Sequence, residues 1–320
     1  MWLNYVLLIV GFVILIKAAD MLVDGSSSIA KKFGISSLMI GLTIVAFGTS
    51  APELVVNILS SLNGNSEIAI GNILGSNISN VLLILGITAL VYPLKVSKGT
   101  TWKEIPLSLL GSLALLFAAN DQLIDGGPFS ALSRIDGILF LFFFVVFIYY
   151  TFGIAKVAGK VEEDKKVKKR SMPSSIIFIL IGMFGLFLGG KWVVDSAVAI
   201  AQNFGLSESL VGLTVVAIGT SLPELATSVM AALRKNADIA VGNIVGSNIF
   251  NVFWILGVSA VIKPLPFNPS INLDMIVAIL AIVILFVTLF FGKKRMIERW
   301  QGALFVGSYV AYVVFLVIRG

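Results

Sequence analysis

The 320-residue chain is 58% hydrophobic and only 12% charged, and its mean hydropathy is +1.02. This small number of charges cannot cover a water-exposed surface. The composition therefore excludes an ordinary soluble domain and predicts an integral membrane protein. The absence of cysteine and histidine excludes disulfides, thiolate metal sites and imidazole proton relays. The net charge of +6 comes from basic residues placed between apolar segments, so no nucleic-acid partner is expected.

Ten apolar segments follow one another along the chain, each about long enough to cross a bilayer. A helix of about 20 residues spans about 30 Å of hydrocarbon. Helices are required because lipid offers no partner for backbone N–H and C=O groups. The predicted fold class is an all-α membrane protein with ten transmembrane helices, numbered here as spans 1 to 10: residues 4–24, 36–62, 68–91, 104–120, 135–154, 174–197, 207–232, 239–262, 271–291 and 301–318.

Span 1 has the position of a signal peptide but not its features. It lacks a basic n-region and a small-residue cleavage site, and Asp20 and Asp24 lie near its end. We interpret it as a retained span. The predicted localisation is therefore the cell membrane, with multiple passes.

Lysines and arginines are concentrated in alternate loops. The loops after spans 1, 3, 5, 7 and 9 hold 18 of the 23, whereas the opposite loops hold only Arg134 and Lys263. Because basic residues accumulate in cytoplasmic loops, the loops after odd-numbered spans are predicted to be cytoplasmic and both termini outside. An even number of spans agrees with termini on one side.

The longest charged stretch, Lys156–Arg170, separates two halves of the chain. The predicted domains are residues 1–154 and 174–320, with five spans each, joined by a cytoplasmic charged linker at 155–173. Three consecutive acidic residues at 162–164 lie in this linker, but its mixed charge is typical of a solvated connection rather than a calcium site.

The two halves carry the same sequence pattern at an offset of 171 residues. Phe33–Leu94 aligns with Phe204–Leu265 without a gap, and 33 of the 62 positions are identical, which identifies an internal repeat. Equivalent points are five spans apart, and an odd number turns the second copy upside down. The halves therefore form the inverted repeat that is typical of secondary transporters. Duplication for stability alone does not explain why the identity is highest in polar, glycine-rich segments.

Glu53 and Glu224 are equivalent residues in the middle of apolar spans. A carboxylate within a membrane costs roughly 3 kcal/mol or more unless it is paired, or solvated by an ion or water. No Lys, Arg or His lies in the same segments. A protonated, hydrogen-bonded structural carboxyl is an alternative, but its occurrence at two equivalent positions favours a cation ligand.

Hydroxyl groups precede each glutamate by three and four residues, spacings that place them on the same helix face. A proline directly before each glutamate lacks an N–H, so the carbonyls of Gly48 and Gly219 lose their helical partners. A helix broken in this way exposes carbonyls that can bind ions. The predicted side-chain ligands in these two segments are Thr49, Ser50, Glu53, Thr220, Ser221 and Glu224.

A second pair of repeated segments, GNILGSNISN (71–80) and GNIVGSNIFN (242–251), supplies further oxygen atoms. Their glycines mainly allow close helix packing. Their hydroxyls and amides are predicted to bind the ion or to orient the carboxylates, and they belong to Ser76, Asn80, Ser247 and Asn251. Such oxygens suit Ca²⁺ and Na⁺ rather than Zn²⁺ or Cu⁺. Two ionised glutamates balance one Ca²⁺ but not three Na⁺, so exchange of that stoichiometry would be electrogenic.

Four further charged residues lie within apolar spans rather than in loops. Asp24 and Asp195 are equivalent in the repeat, and we expect a structural or water-facing role for both. Lys17 and Lys191 are not equivalent, and we expect each to extend to the membrane interface or to pair locally.

The motifs GTSAPE (48–53) and GTSLPE (219–224), with the two GN segments, resemble the α-repeats of sodium/calcium exchangers in the cation/calcium antiporter superfamily. The resemblance covers nearly the whole chain, and the short linker points to prokaryotic members without regulatory domains. It implies a secondary antiporter, not an enzyme, that has no prosthetic cofactor and exchanges Na⁺ for Ca²⁺ across the lipid bilayer. It also implies carbonyl ligands at Ala46 and Ala217, one calcium site flanked by sodium sites, and alternating access by sliding of spans 1 and 6.

Two departures separate this chain from other branches of the superfamily. Some members carry an aspartate at a position equivalent to Asn80 or Asn251, and two neutral residues here argue for independence from potassium. Proton/calcium exchangers have a glutamate near the GN segment, where this chain has Asn72 and Asn243. A proton- or other-cation-coupled calcium exchanger on the same fold is the alternative function. A cation channel is disfavoured because no ring of selectivity carbonyls is evident.

Overall fold

The computed structural model describes residues 2–124, 126–127, 129–157, 170–203 and 217–319. The beginning of predicted span 7, residues 204–216, and most of the predicted linker lie outside the described residues. Helices account for most of the described length. They are α1 (Trp2–Phe33), α2 (Ser37–Thr49), α3 (Ala51–Asn63), α4 (Ser66–Val91), α5 (Ile105–Ala118), α6 (Asp121–Ile124), α7 (Arg134–Val157), α8 (Met172–Asn203), α9 (Ala217–Thr220), α10 (Leu222–Leu233), α11 (Ala237–Ile262), α12 (Asn272–Thr288) and α13 (Arg299–Arg319).

The described helices confirm a mostly helical membrane protein. Seven of them are long and apolar enough to cross a membrane, and α2 with α3 makes an eighth span if this bent pair crosses as one. In the described part of the chain α10 is only 12 residues long, shorter than a bilayer requires. α5 has 14 residues and directly follows a π-helical turn, Thr100–Glu104, which carries Lys103 and Glu104. The total of ten spans therefore stays a prediction.

Both predicted helix breaks before the glutamates are confirmed. α2 and α3 meet at an angle of 47°, and Ser50 between them has φ −85° and ψ 7°. Ser221, between α9 and α10, has nearly the same angles, −86° and 4°. Pro52 and Pro223 are the second residues of α3 and α10, where the missing N–H removes no helical hydrogen bond. Each break places a glutamate in the first turn of a new helix.

α4 and α11 form the centre of the molecule. Within their most apolar stretches 78% and 83% of the residues are buried, against 22–33% in the other five helices long enough to cross a membrane. The polar, glycine-rich sequences therefore lie inside, and the most apolar helices surround them. Both central helices contain a π-helical turn at equivalent positions, Ser79–Ile84 and Phe250–Leu256. Such turns occur frequently at functional sites.

α1 and α8 pack against each other at backbone distance. A Cβ atom at Gly182 would lie 2.8 Å from the backbone nitrogen of Leu22, and one at Gly25 would lie 2.8 Å from the carbonyl oxygen of Ser175. Glycines on both helices thus make room for the partner's backbone, as in other small-residue contacts between membrane helices. Both helices also continue beyond the predicted ends of spans 1 and 6. In α1 the extension begins with Gly25 and three serines, which carry no apolar signal.

Two short antiparallel strand pairs connect the loops. β1 (Leu94–Lys95) pairs with β4 (Met296–Ile297), and β2 (Ala131–Leu132) pairs with β3 (Leu265–Pro266). β1 and β4 follow predicted spans 3 and 9, whereas β2 and β3 follow spans 4 and 8. Each pair therefore joins two loops that the charge distribution assigns to the same side of the membrane.

The end of α1 carries a partly buried cluster of ion pairs. Asp24 accepts hydrogen bonds from the Arg170 guanidinium at 2.6 and 2.8 Å and from Arg234 at 3.2 Å. These contacts give Asp24 a structural role, as expected. Its equivalent Asp195 forms an exposed pair with Lys191 at 2.7 Å on the same helix, so Lys191 pairs locally.

The contact between α1 and α8 predicts opposite effects for two Gly→Ala substitutions. Gly182→Ala is expected to lower the thermal unfolding midpoint of the purified protein by roughly 2–8 °C, because its methyl group would force two backbones apart. Gly307→Ala on α13 is the control, since a Cβ there meets no described atom within 4 Å. In an open helix Ala is favoured over Gly, so this variant should be neutral or slightly stabilising. Equal midpoints for the two variants would contradict the described packing.

Candidate ion-binding site

The two equivalent glutamates lie at the centre of the candidate site. Glu53 on α3 and Glu224 on α10 are each only 1% exposed. The hydroxyl of Ser50, three residues before Glu53, donates to the Glu224 carboxylate at 3.0 Å, so the two segments meet at the site. None of the ion pairs in the described chain involves either residue. Each carboxylate sits in the first turn of its helix, where the helix dipole favours negative charge. The dipole offsets only part of the cost of burial.

One oxygen of each glutamate accepts hydrogen bonds from serine hydroxyls. Ser76 on α4 donates to Glu53 Oε1 at 3.3 Å, and its equivalent Ser247 on α11 donates to Glu224 Oε1 at 3.4 Å. Ser50 donates to Glu224 Oε1 at 3.0 Å. The expectation that Ser50 shares a helix face with Glu53 is therefore wrong in detail. The bend at Ser50 turns its hydroxyl toward the glutamate of the other half.

The second oxygen of each glutamate has no hydrogen-bond partner in the described chain. This holds for Oε2 of both residues, although both atoms are buried. Eleven further buried oxygens in the described chain share this property, Oε2 of Glu104 among them. Four of the eleven belong to predicted ligands, namely Asn80, Thr220, Ser221 and Asn251. Buried polar atoms are nearly always paired in folded proteins. A set of unpaired oxygens from the predicted ligand residues is what a cation site requires.

The threonines and the backbone carbonyls of the site have different contacts. Thr49 donates to the side-chain oxygen of Asn243 at 2.9 Å and to the carbonyl oxygen of Ala46 at 3.3 Å, which also accepts the N–H of Ser50 at 3.0 Å. The buried hydroxyl of Thr220 has no hydrogen-bond partner in the described chain. Ala217 is the first residue of α9. Ligand roles for the Ala46 and Ala217 carbonyls stay predictions.

Several asparagines in the site were missed by the sequence analysis. Asn77 and Asn248 contact the side chains of the predicted ligands Asn251 and Asn80, and Asn243 contacts Thr49. The signal was present, because all three lie in the repeated GN segments and each has an equivalent in the other half. Nothing in a single segment showed which helix they would meet.

The donor set is all oxygen and carries two formal charges. The described residues contain no cluster of three or more His, Cys, Asp or Glu side chains, so the negative charge of the site comes from the two glutamates. Carboxylate, amide and hydroxyl oxygens are ligands for hard cations such as Ca²⁺ and Na⁺. The arrangement suits a transported cation, which must be bound and then released.

Comparison with known proteins decides the family. The sequence profile described as "Sodium/calcium exchanger protein" matches residues 3–153 and 174–318. The chain belongs to the sodium/calcium exchanger family. This result agrees with the resemblance seen in the repeated motifs and confirms a multi-pass membrane protein of the cation/calcium antiporter superfamily.

Several relatives of this exchanger extend over nearly its full length. It is 37% identical to the inner membrane protein YrbG of Escherichia coli over 97% of this chain and 95% of that protein. It is 33% identical to the sodium/calcium exchanger MaX1 of Methanosarcina acetivorans over 98% of each. A solved structure of the sodium-calcium exchanger NCX_Mj, soaked with 10 mM Na⁺ and zero Ca²⁺, superposes with a TM-score of 0.82 at 32% identity and covers 98% of both chains.

Replacing either glutamate by glutamine tests the site. Glu53→Gln and Glu224→Gln keep the size of the side chain and remove one of two charges, so each should lower calcium affinity roughly 100-fold or more. The measurement is ⁴⁵Ca²⁺ binding to the purified, folded protein. Glu104→Gln is the matched control, because Glu104 is also fully buried and accepts a hydrogen bond from the Tyr150 hydroxyl that an amide oxygen can still accept. Wild-type affinity in either site variant would show that the glutamates do not share the ion.

Proposed function

We propose that this exchanger is a Na⁺/Ca²⁺ antiporter whose ions bind between Glu53 and Glu224. The observation that supports this most directly is the buried Oε2 atom of each glutamate, which has no partner in the described chain. Membership of the family and the likeness to NCX_Mj support the choice of ions. The proposed ligand set is Ala46, Thr49, Ser50, Glu53, Ser76, Asn80, Ala217, Thr220, Ser221, Glu224, Ser247 and Asn251.

We propose that three Na⁺ exchange for one Ca²⁺, a stoichiometry that makes the transport electrogenic. Two ionised glutamates neutralise one Ca²⁺ in the buried site. Three Na⁺ in the same site leave about one positive charge uncompensated. Exchange of three Na⁺ for one Ca²⁺ therefore moves one positive charge in the direction of Na⁺ in each cycle.

We propose alternating access between two inverted halves, residues 1–154 and 174–320. The separate profile matches to 3–153 and 174–318 support this division. Contacts in the site support it too, since Ser76–Glu53 and Ser247–Glu224 are equivalent bonds at the repeat offset. The close pairing of α1 with α8 supports their sliding as one unit across the remaining helices.

The loop contacts support ten spans with both termini outside. Besides the two strand pairs, Lys263 donates to the carbonyl of Leu62, and Asn268 donates to Glu67. These contacts also join loops that follow even-numbered spans. If every span crosses the membrane, loops that follow even-numbered spans all lie on one side, which explains why they contact one another. The basic residues assign the loops after odd-numbered spans to the cytoplasm.

Transport in proteoliposomes tests the proposed function. Vesicles loaded with Na⁺ should take up ⁴⁵Ca²⁺ when an outward Na⁺ gradient is present and should not when Na⁺ is equal on both sides. Because the exchange moves positive charge outward, a potassium shunt through valinomycin should increase the uptake. Potassium without valinomycin should leave it unchanged, since no third carboxylate is present in the proposed site.

The alternatives predict other outcomes of the same assay. Equal uptake driven by a proton gradient, with no effect of Na⁺, would overturn the Na⁺ coupling and favour a proton-coupled calcium exchanger. Single-channel currents in planar bilayers would overturn antiport altogether, because a carrier that occludes its ion cannot sustain them.

Single cysteines test the proposed topology, because the natural chain contains none. Asn63→Cys and Phe129→Cys should react with a membrane-impermeant maleimide in intact cells. Lys98→Cys and Lys294→Cys should react only after permeabilisation. All four side chains are exposed in the protein, so access to the reagent depends on the side of the membrane. The reverse pattern would overturn the predicted orientation. The internal control is the pair that faces the medium, Asn63→Cys and Phe129→Cys, which should be labelled equally before and after permeabilisation.

A further inference from the structure

Four asparagines form two equivalent side-chain bonds across the centre of the molecule. Asn80 Nδ2 donates to Asn248 Oδ1 at 2.9 Å, and Asn251 Nδ2 donates to Asn77 Oδ1 at 2.9 Å. All four side chains are no more than 2% exposed. The repeat offset converts one bond into the other, since Asn77 is equivalent to Asn248 and Asn80 to Asn251. Each bond joins a central helix of one half to that of the other, α4 to α11.

These bonds determine which end of each ligand amide faces the ion. An asparagine side chain has an oxygen that binds cations and an NH₂ group that repels them. In Asn80 and Asn251 the NH₂ group donates to the opposite asparagine, and the oxygen has no hydrogen-bond partner among the residues that the structure describes. The acceptor oxygens of Asn77 and Asn248 therefore hold the two ligand amides with their oxygens available.

We propose that Asn77 and Asn248 are positioning residues, which act on ion affinity through Asn251 and Asn80. This inference rests on the proposed function, in which Asn80 and Asn251 are ion ligands. Each half of the exchanger then orients a ligand of the other half. Without the acceptor, the amide of the ligand is free to turn its NH₂ group toward the cation, and its buried donor is left unpaired.

The same geometry explains why positions 80 and 251 carry neutral asparagines. An ionised aspartate there has no hydrogen to donate to Asn248 or Asn77, so two acceptor oxygens would face each other at hydrogen-bond distance. An aspartate would thus add a negative charge to the site but remove the hydrogen bond that joins α4 to α11. The neutral asparagines at 80 and 251 are therefore required by the asparagines that accept their hydrogen bonds.

Double-mutant cycles on the purified full-length protein test the proposal, with ⁴⁵Ca²⁺ as the probe and Na⁺ as the competitor. Asn77→Leu removes the acceptor at similar volume and should lower calcium affinity about tenfold, since it leaves a buried donor unpaired. Because it acts through Asn251, adding it to Asn251→Leu should cause no further loss. Added to Asn80→Leu, which has a different partner, it should multiply the losses. Asn248→Leu should show the reverse pairing.

A remote asparagine pair provides the matched control. Asn120 and Asn272 bond to each other through both amides at 2.7 and 2.8 Å, outside the site. Asn120→Leu should lower the thermal unfolding midpoint like Asn77→Leu but leave calcium affinity unchanged. A merely structural role for Asn77 predicts that both variants behave alike in both measurements.

Three results would overturn the proposal, and they separate it from the proposed function. The first result is wild-type calcium affinity in Asn77→Leu and Asn248→Leu together with lower affinity in Asn80→Leu and Asn251→Leu. It would support Asn80 and Asn251 as ligands but contradict a positioning role for Asn77 and Asn248. Losses that multiply in every combination show that Asn77 acts independently of Asn251. Wild-type affinity in Asn80→Leu and Asn251→Leu removes both asparagines from the ligand set, while Na⁺-driven transport and its dependence on the glutamates would still stand.

Discussion

The structure depends on the burial of two carboxylates that form no ion pair with any residue in the described part of the chain. Glu53 and Glu224 are both 1% exposed, and each keeps one oxygen free of any hydrogen bond in the described chain. Helix N-termini and serine hydroxyls offset part of this cost, and the serine hydroxyls donate to only one oxygen of each residue. In the proposed function, a bound cation supplies the missing partner. The absence of an internal counter-charge also keeps the site available to whichever ion is present.

The arrangement of the helices follows from this requirement. A polar site within a membrane must be surrounded by polar helices, which must in turn be shielded from lipid. α4 and α11, with their Gly, Ser and Asn motifs, therefore lie in the centre, and more apolar helices enclose them. The breaks at Ser50 and Ser221 bring each glutamate to the start of a helix. Glycines such as Gly242 and Gly246 let α2 approach α11 at backbone distance, which closes the site.

Much of the site could be predicted because both halves of the sequence carry the same motifs. The repeat identified the glutamates, the prolines predicted the breaks, and the spacing of hydroxyls and amides indicated oxygen ligands. The crossing of Ser50 to Glu224 could not be predicted, because local spacing describes a continuous helix and the bend redirects the side chain. The partners Asn77 and Asn248 were missed for a related reason. Their role appears only when α4 and α11, from opposite halves, are in contact.

The fold was predictable to the extent that hydropathy reports on lipid contact. It located every described long helix, but it ended α1 too early, since buried serines at 26–28 continue the helix without an apolar signal. It also cannot decide whether short helices such as α5 and α10 cross the membrane alone or with adjoining turns. The glycines of the GN segments were assigned to close packing, which is confirmed for Gly242 and Gly246 but wrong for Gly71 and Gly75, where a Cβ atom would meet no described atom within 4 Å.

The central claim is that the two glutamates share one calcium ion, and anomalous diffraction from crystals grown in Ca²⁺ tests it most directly. The account predicts a calcium peak at about 2.3–2.6 Å from Oε2 of both Glu53 and Glu224, which disappears when the crystals are transferred to Na⁺ without Ca²⁺. A calcium peak bound to other residues, with only water between the two carboxylates, would contradict it.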